Sequence, residues 1–325
     1  MKHAEEPIDV VITWVDGRDP IHQSKKAQFL NQKLAQRDDL GGDTRYNSVG
    51  EIYYCVASIL RNASFVRRIF IITDGQKPDL DLFINENFPN HKVEIKIIDH
   101  TEIFRDFEEY LPTFNSLSIE TMLYRIPGLS ENFIYFNDDF FVLRPTEPRH
   151  FFRNGKAVAY GSWKSFAADQ LISKLKPLVK GRKTFGFKDS MLNAAKVLHK
   201  KDQYFRIQHT PLPLKKSILE NYFNKHPDVL RSNIKHKFRS HQQFNPQALF
   251  YLLAEKEGAI LVEKTNRELL IKPPNKPLQY AIRKRKTFEN NKQLLFCCVE
   301  SADQTSDEVR NYLFGWFSEI LKIKV

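Results

Sequence analysis

Short blocks of apolar residues recur along the first part of the chain, and an acidic residue follows each block. The first three blocks, with the residues that follow them, are Ile8–Val15 with Asp16 and Gly17, Val66–Thr73 with Asp74, and Lys92–Ile98 with Asp99. Blocks of this length that are rich in β-branched side chains predict buried strands. Ligands of open α/β sheets bind beyond the carboxyl ends of the strands, so these acids are candidates for one site. For Asp16 a simple Asp-Gly turn is an equal alternative.

A fourth block, Phe133–Val142, carries Asn137-Asp138-Asp139 between two apolar runs. Carboxylates packed among aromatic side chains are costly unless a cation compensates their charge. Mg²⁺ and Mn²⁺ prefer hard oxygen ligands, so the block predicts a divalent metal at Asp138 and Asp139. An ordinary strand end followed by a turn is the alternative, because Asn and Asp favour turns.

Between these blocks the apolar residues recur with the period of an α-helix. Residues 21–40 and 48–60 each carry one apolar stripe, and a third helix follows Asn115 and Ser116, either of which can cap it. Strands that alternate with helices are typical of a sheet with crossover connections. The pattern therefore predicts an α/β protein with a mostly parallel sheet flanked by helices.

The pattern changes after Val142. Strongly apolar strands become rare, and basic and aromatic side chains interleave from Lys164 to Arg239. A helix is predicted to begin at Leu214. The later predicted elements are a helix over Pro246–Glu255, a short strand at Ala259–Val262, a buried strand at Leu294–Glu300 and a terminal helix over Ser306–Leu321.

Neither an internal repeat nor a low-complexity linker divides the chain. We therefore expect a single domain over residues 1–325. Its parts are predicted to be an α/β half over 1–150, a basic and mainly helical half over 151–290, and a closing strand and helix over 291–325.

The composition is that of a globular protein, with 42% hydrophobic residues and 26 Phe among 325 residues. The formal charge of +11 fits three kinds of partner: a nucleic acid, an anionic membrane face, or an anionic small molecule or polymer. Nucleic acid is the least favoured, because the sequence has no recognition motif of a standard nucleic-acid-binding module.

The cysteines and the N-terminal residues indicate in which cellular compartment the protein is expected. Cys55, Cys297 and Cys298 have no metal-ligand spacing, and we expect packed, reduced thiols in a cytoplasmic protein. The N-terminus lacks an apolar signal core, and no segment reaches the ~18 apolar residues that a membrane span needs. The protein is expected to be soluble, or peripheral at the inner face of the plasma membrane.

Acids at the ends of neighbouring strands are typical of sites that hold a metal against a diphosphate, where the metal offsets the charge of the leaving group. Arg45, Arg239 and Lys215 are candidates for binding the phosphate oxygens. The chain has no P-loop, and no GxGxxG follows its first strand, which argues against ATPases and dinucleotide enzymes. The pattern favours an enzyme that uses a nucleotide sugar.

His209 lies in Gln208–Pro213, a segment stiffened by two prolines. A neutral imidazole suits general base work on an alcohol, although a structural histidine is the more frequent case. The other histidines considered, His100, His199, His226, His236 and His241, are expected at the surface.

Five segments resemble the Stealth family of hexose-1-phosphate transferases. They are Ile8–Pro20 (IDVVITWVDGRDP), Arg67–Pro78 (RRIFIITDGQKP), Pro112–Val142 (PTFNSLSIETMLYRIPGLSENFIYFNDDFFV), Gln208–Pro211 with Phe238–Arg239, and Leu295–Ile320. They occur in the order of the family's four conserved regions and extend over most of the chain. The family includes bacterial capsular polysaccharide phosphotransferases and the catalytic part of the lysosomal-enzyme GlcNAc-1-phosphotransferase.

The resemblance implies a GT-A-like, Rossmann-type core with helical additions. It implies transfer of a sugar-1-phosphate, here an N-acetylhexosamine-1-phosphate, from a UDP-sugar to a hydroxyl of an anionic capsular polysaccharide, with release of UMP. The first half would bind the nucleotide sugar and the basic half would face the acceptor. The compact chain, without the large inserted modules of human-type members, favours the bacterial capsule branch.

Site residues follow from the resemblance position by position. The implied sets are Asp16, Gly17, Arg45, Asp74, Asn115 and Asn137 for the nucleotide-sugar pocket, Asp138 and Asp139 for catalysis and Mg²⁺ or Mn²⁺, and His209 and Arg239 for the acceptor hydroxyl and the transferred phosphate. One position departs from the family pattern. Many members have an Asp three residues after the arginine that opens the second region, where this chain has Ser48. Either Glu51 or another acid takes its place here, or the role is absent.

Two other functions remain open at this point. A metal-dependent glycosyltransferase of the same fold would attack at carbon and release UDP, and it would not require His209 with Arg239. A basic protein that binds anionic polysaccharide without chemistry is disfavoured by the acids at successive strand ends.

Overall fold

The computed structural model describes residues 6–30, 46–166 and 186–325. Its strands are β1 (Ile8–Thr13), β2 (Val66–Thr73), β3 (Glu94–Asp99), β4 (Asn132–Asn137), β5 (Phe140–Val142), β6 (Phe152–Arg153), β7 (Lys156–Ser165), β8 (Gln203–Ile207), β9 (Leu212–Lys215), β10 (Ile260–Glu263), β11 (Glu268–Ile271) and β12 (Phe296–Val299).

The α-helices in the same part of the chain are α1 (Pro20–Phe29), α2 (Glu51–Asn62), α3 (Asp81–Asn87), α4 (His100–Ile103), α5 (Ser116–Met122), α6 (Phe187–Val197), α7 (Lys216–Lys225), α8 (Pro227–Ile234), α9 (Pro246–Lys256), α10 (Leu278–Asn290) and α11 (Asp307–Leu321). Six of them, α1, α2, α5, α7, α9 and α11, correspond to predicted helices, and the other five were not predicted. The helix predicted over 21–40 is described only as far as Phe29, because residues 31–45 lie outside the description.

The main sheet has five strands in the order β3-β2-β1-β4-β9. Its first four strands are parallel, and β9 joins at the edge in the antiparallel direction. The centre of the sheet is apolar on both faces, as continuous apolar strands require, since Val10, Val11 and Ile12 are fully buried. The mostly parallel sheet predicted from the sequence is confirmed.

The strand order places a topological switch point between β1 and β4. From β1 the chain moves outward through β2 to β3, and then it returns to the other side of β1 as β4. In open α/β sheets the crevice for ligands opens at such a point, beyond the carboxyl ends of the strands. Thr13 and Asn137 are register partners at these two ends. The Asn137-Asp138-Asp139 segment therefore begins at the switch point.

The block Phe133–Val142 forms two strands rather than one. β4 ends at Asn137, the chain turns at Asp138 and Asp139, and β5 pairs with β12 in a second sheet of order β11-β12-β5. The backbone N–H of Val299 donates to the carbonyl oxygen of Asp139 at 3.2 Å. The two aspartates thus lie at the junction of two sheets.

More strands occur between residues 151 and 290 than the sequence indicated. A third sheet of order β10-β7-β6 also carries β8, and the helix predicted to begin at Leu214 begins at Lys216, after strand β9. Of these strands only β10 was predicted. Periodicity missed β6, β7, β8, β9 and β11 because they are short or polar on one side. Leu212–Lys215, for example, includes Pro213, which is tolerated because β9 lies at a sheet edge.

Two further observations concern the cysteines and the helices. Cys55, Cys297 and Cys298 are buried free thiols. Within the described ranges, no helix combines the length and the apolar character needed to cross a bilayer.

Candidate active site

A cleft of about 550 Å³ opens beyond the carboxyl ends of β1, β2 and β4. One wall comes from the first half of the chain, and the other comes from α6, the segment before β9, and the loops that follow α8 and β12. Seven residues predicted from the sequence line it: Asp74, Asn115, Asn137, Asp138, Asp139, His209 and Arg239. Residues that are distant along the chain are therefore brought to one cavity.

Local contacts hold the Asn137-Asp138-Asp139 turn. The hydroxyl of Tyr135 donates to Oδ1 of Asn137 at 2.5 Å, and the thiol of Cys298 donates to Oδ2 of Asp139 at 3.6 Å. The other carboxylate oxygen of Asp139, Oδ1, is buried and has no hydrogen-bond partner among the described residues. The turn thus presents an acceptor atom that no described residue satisfies.

Three acids share the floor of the cleft. Asp138 and Asp139 are half-buried, and the adjacent Glu51 is buried at the start of α2, where its carboxylate accepts from the N–H of Val49 at 2.7 Å. Burial, followed by the charge of Glu51, raises the pKa of Asp139 to about 7 and that of Asp138 well above its usual range. Burial also raises the pKa of Glu51. The like charges of the three carboxylates thus disfavour each other's ionised form.

The donor set fits a divalent cation. Asp138 and Asp139 supply hard oxygens, and Oδ1 of Asp139 lacks a partner. Among the described residues no group of three or more His, Cys, Asp or Glu side chains converges to hold a metal. Mg²⁺ is usually bound by one or two carboxylates together with substrate phosphates, so a site of this kind is completed by its ligand.

His209 lies on the opposite wall, between two glutamates. Its Nδ1 is 3.4 Å from Oε1 of Glu268, and its Nε2 is 3.1 Å from Oε1 of Glu300. The ring also packs against Phe187, with centroids 5.2 Å apart. The charge of His209 opposes the rise in the pKa of Asp139. His209 and the acidic floor thus face the same cavity.

Arg239 is the one arginine or lysine among the described residues that line the cleft. Its Nη2 donates to Oγ of Ser116 at 2.7 Å. Phe238 stacks on Phe114 at 5.4 Å, which docks the arginine segment against the start of α5. Burial raises the pKa of Glu120, on the same helix, and the charge of Arg239 opposes that rise. The guanidinium is thereby held in place and still reaches the cavity.

At the other end of the cleft, Asp74 lies near two buried histidines. Lys25 Nζ contacts Oδ1 of Asp74 at 3.1 Å, while Oδ2 has no partner within the described part of the chain. Burial lowers the pKa of His22 and lowers that of His100 to about 4, and Nδ1 of His100 has no partner either. The surface position expected for His100 is wrong, because α4 turns the ring beneath Asp74 and only 5% of the residue is exposed.

The neutral, buried His100 predicts a pH-dependent stability. Its pKa is lower in the folded chain than the ordinary 6.5, so the unfolded chain binds more protons below neutrality and stability falls as the pH falls. Between pH 7 and pH 5 the wild type should lose about 2 kcal/mol more of its free energy of unfolding than His100→Gln does. Urea denaturation of both proteins at the two pH values measures the difference. Equal losses would contradict the prediction.

The remaining predicted residues lie beside the cavity or beneath its lining. Asp16 Oδ1 accepts from the N–H of Arg18 at 2.9 Å, and Gly17 donates its N–H to the carbonyl of Tyr46 at 2.7 Å. A Cβ on Gly17 would lie 2.4 Å from that carbonyl oxygen, so the close approach requires glycine. Asp16 and Gly17 therefore shape the loop after β1 rather than line the cleft.

Asn115 and Arg45 are the two predicted site residues that remain. Asn115 is fully buried, and its amide nitrogen donates to the carbonyl of His236 and to Gln243, both at 2.9 Å. Its Oδ1 caps α5 by accepting from Leu117. The side chain thus holds the wall of the cleft together. Arg45 lies outside the described residues.

Sequence reasoning assigned no site role to Glu268, Glu300 or Glu120, and it placed His100 at the surface. Glu300 had a signal, because it ends an apolar strand as Asp74 and Asp99 do. No sequence feature points to Glu268, since nothing in a single sequence shows that β11 and the segment before β9 come together.

Two family models match the first half of the chain. A sequence model described as Stealth protein CR1, conserved region 1, matches residues 6–34, and one described as Stealth protein CR2, conserved region 2, matches residues 45–159. The assignments made above to the family's third and fourth regions stay predictions.

Curated relatives extend over more of the chain. The capsular polysaccharide phosphotransferase fcs1 of Haemophilus influenzae is 34% identical over 312 residues, which are 92% of this chain and 80% of that protein. The capsular polysaccharide phosphotransferase cps1A of Actinobacillus pleuropneumoniae is 37% identical over 240 residues, which are 73% of this chain. This chain spans 62% of the length of that second relative.

Among solved structures, the WbbM bifunctional glycosyltransferase superimposes with a TM-score of 0.52 at 12% sequence identity, covering 98% of this chain and 50% of the other. At that identity the likeness concerns the fold alone. It confirms the GT-A-like α/β class.

Proposed function

The chain belongs to the Stealth family, and from that premise we propose that it transfers a sugar-1-phosphate from a UDP-sugar to a hydroxyl of a capsular polysaccharide and releases UMP. The observation that carries the proposal is the composition of the cleft. Half-buried carboxylates at the switch point of the sheet face a histidine and an arginine across one cavity. A transferred phosphate, its cation and an attacking hydroxyl need these three kinds of group.

The bond changes follow from that arrangement. The acceptor oxygen attacks the β-phosphorus, the bond from that phosphorus to the bridging oxygen breaks, and UMP leaves with the bridging oxygen. The hydroxyl proton moves to Nε2 of His209. Arg239 binds the non-bridging oxygens of the transferred phosphate and offsets their charge. The sugar keeps its bond to the phosphate.

Asp138 and Asp139 would hold Mg²⁺ or Mn²⁺ in this scheme. When bound, the cation would neutralise diphosphate charge as the leaving group departs. The unpartnered Oδ1 of Asp139 and the like charges of the cleft floor support this role.

The two walls of the cleft suggest which substrate binds on which side. We propose that the donor binds the wall from residues 1–150, with its nucleotide toward Asp74, and that residues 151–290 face the acceptor. Residues 291–325 close the site, because β12 pairs with β5 directly after Asp139. An anionic polysaccharide suits the formal charge of +11.

The proposal predicts where each phosphorus atom goes. We expect UDP-N-acetylglucosamine labelled with ³²P at the β-phosphate to transfer its label to a capsule oligosaccharide while UMP is released. Phosphorus NMR of the product should show a phosphodiester. Because the acceptor is unidentified, a panel of UDP-N-acetylhexosamines and capsule oligosaccharides is screened first.

The same experiment detects the alternative reaction. A glycosyltransferase would release labelled UDP and give a product without phosphorus, and that result would overturn the proposal. A protein that only binds polysaccharide would release neither nucleotide with any donor of the panel.

A further inference from the structure

The surroundings of His209 carry an inference that rests on the proposed function and goes further. The ring has a carboxylate next to each nitrogen, supplied by two elements of the second sheet. Glu268 begins β11, and Glu300 directly follows β12. The two strands are parallel neighbours in register, and the N–H of Glu300 donates to the carbonyl of Ile271 at 2.9 Å. The sheet therefore fixes both glutamates relative to the histidine.

Glu268 is held on the Nδ1 side of the ring. Its Oε1 accepts the backbone N–H of His209 at 2.6 Å and lies 3.4 Å from Nδ1 of the same residue. The side chain is 16% exposed, so it has little freedom to leave. A carboxylate next to Nδ1 favours the neutral tautomer that carries its proton there. The lone pair is on Nε2 once no second carboxylate faces that nitrogen.

Glu300 lies on the Nε2 side and lines the cleft. Its Oε1 is 3.1 Å from Nε2, and its Oε2 is 2.7 Å from Nζ of Lys272. A general base must lie within about 2.6–3.2 Å of the oxygen whose proton it takes. In the free enzyme Glu300 thus lies where an acceptor hydroxyl has to bind. Because its carboxylate can only accept, it keeps a proton on Nε2, and Nε2 becomes free to act as a base when Glu300 leaves and that proton leaves with it.

We propose that Glu268 is the positioning residue that keeps the proton of His209 on Nδ1, and that Glu300 is a placeholder which the acceptor hydroxyl displaces from Nε2. The two glutamates differ in freedom. Glu268 is tied to the backbone of the residue that it orients, whereas Glu300 is 29% exposed and its second partner, Lys272, is 55% exposed. Glu300 can therefore swing outward with Lys272 and open the acceptor subsite.

The role of Glu268 is tested first in protein without substrates. ¹⁵N NMR of histidine-labelled Glu300→Ala protein, in which that carboxylate no longer faces Nε2, should show the Nδ1–H tautomer of His209. The His209 signals are assigned by comparison with His209→Asn, and Glu300→Ala is the reference protein for the substitutions that follow. In Glu268→Gln that preference should be lost, because the amide presents both a donor and an acceptor to the ring. In turnover, kcat should fall by about 10²-fold, the lower end of what general base catalysis contributes.

The matched control is Glu263→Gln on β10, whose carboxylate pairs with Arg153 at 2.7 Å and which does not line the cleft. It should change neither the tautomer nor kcat. An unchanged tautomer in Glu268→Gln would overturn the positioning role, whatever the rate. Because this readout needs no substrate, it is independent of the labelled-donor experiment, in which a failure of the proposed function would appear as released UDP.

The placeholder role is tested with Glu300→Ala. Carbethoxylation of His209 by diethyl pyrocarbonate, followed by peptide mass spectrometry, should become several-fold faster because Nε2 is uncovered. The KM for the acceptor should fall several-fold while the KM for the donor changes little. Unchanged reactivity of His209, or a raised KM for the acceptor, would show that Glu300 does not stand in the place of the hydroxyl.

Discussion

Asp138→Asn should lower kcat by about 10³-fold and should not weaken the fold. Removing one preorganised group that stabilises transition-state charge costs on the order of 10²–10³ in rate, and Asp138 would also lose a bond to the cation. Binding of Mn²⁺, followed by electron paramagnetic resonance in the presence of UDP-N-acetylglucosamine, should weaken in parallel. Asp139→Asn should behave in the same way.

The stability of these variants should rise rather than fall. Burial and the charge of Glu51 raise the pKa of Asp138 and Asp139, so the charged carboxylates are disfavoured in the folded chain at neutral pH. A neutral amide removes that repulsion. The gain in melting temperature should diminish as the pH is lowered through the raised pKa, because the native carboxyls then become neutral as well.

Asp9→Asn is the matched control, because Asp9 is also an aspartate of the main sheet but lies at the opposite end of β1. Its carboxylate is fully buried and accepts from Arg67 at 2.9 and 2.7 Å and from the N–H of Ser130 at 2.8 Å. Breaking this pair should lower the free energy of unfolding by about 3 kcal/mol and leave kcat of the folded enzyme unchanged. An active Asp138→Asn enzyme, or a destabilised one, would contradict the account of the cleft floor.

The sequence was sufficient to predict the part of the site that depends on strand ends. In β1, β2 and β4 the apolar run specifies a buried parallel strand, and whatever follows it lies at one edge of the sheet. The sequence pattern alone therefore predicts that Asp74, Asn137, Asp138 and Asp139 lie together at that edge. For Asp16 the role stays a prediction: β1 ends at Thr13, and Asp16 lies in the turn that follows.

The part of the site that depends on long-range pairing could not be predicted. His209 and Glu268 meet because β9 joins the main sheet while β11 joins the second one, and neither short strand has a strong periodic signal. His100 was placed wrongly for a similar reason. A single polar residue after a strand looks exposed in sequence, and only the packing of α4 against the sheet buries it.

Arg239→Ala should lower kcat/KM by about 10³-fold, since an arginine that stabilises a transferred phosphoryl group is worth 10³–10⁵ in rate. Arg239→Lys should recover only part of this loss, because an ammonium keeps the charge but lacks the planar fork that binds two oxygens. The KM for the UDP-sugar should rise less than kcat falls, because the negative charge on the phosphoryl oxygens is redistributed in the transition state.

Two further variants separate the charge of Arg239 from its placement. Ser116→Ala removes the 2.7 Å contact to Nη2 and keeps the guanidinium, so it should cost up to about 10²-fold through misplacement. Arg285→Ala, on α10, breaks exposed ion pairs with Glu289 and Glu319 and should leave the rate unchanged. If Arg239→Ala lost no more than Ser116→Ala, the guanidinium would act by supporting the wall of the cleft. A larger loss in Arg239→Ala, partly restored by lysine, identifies it as the group that binds the transferred phosphate.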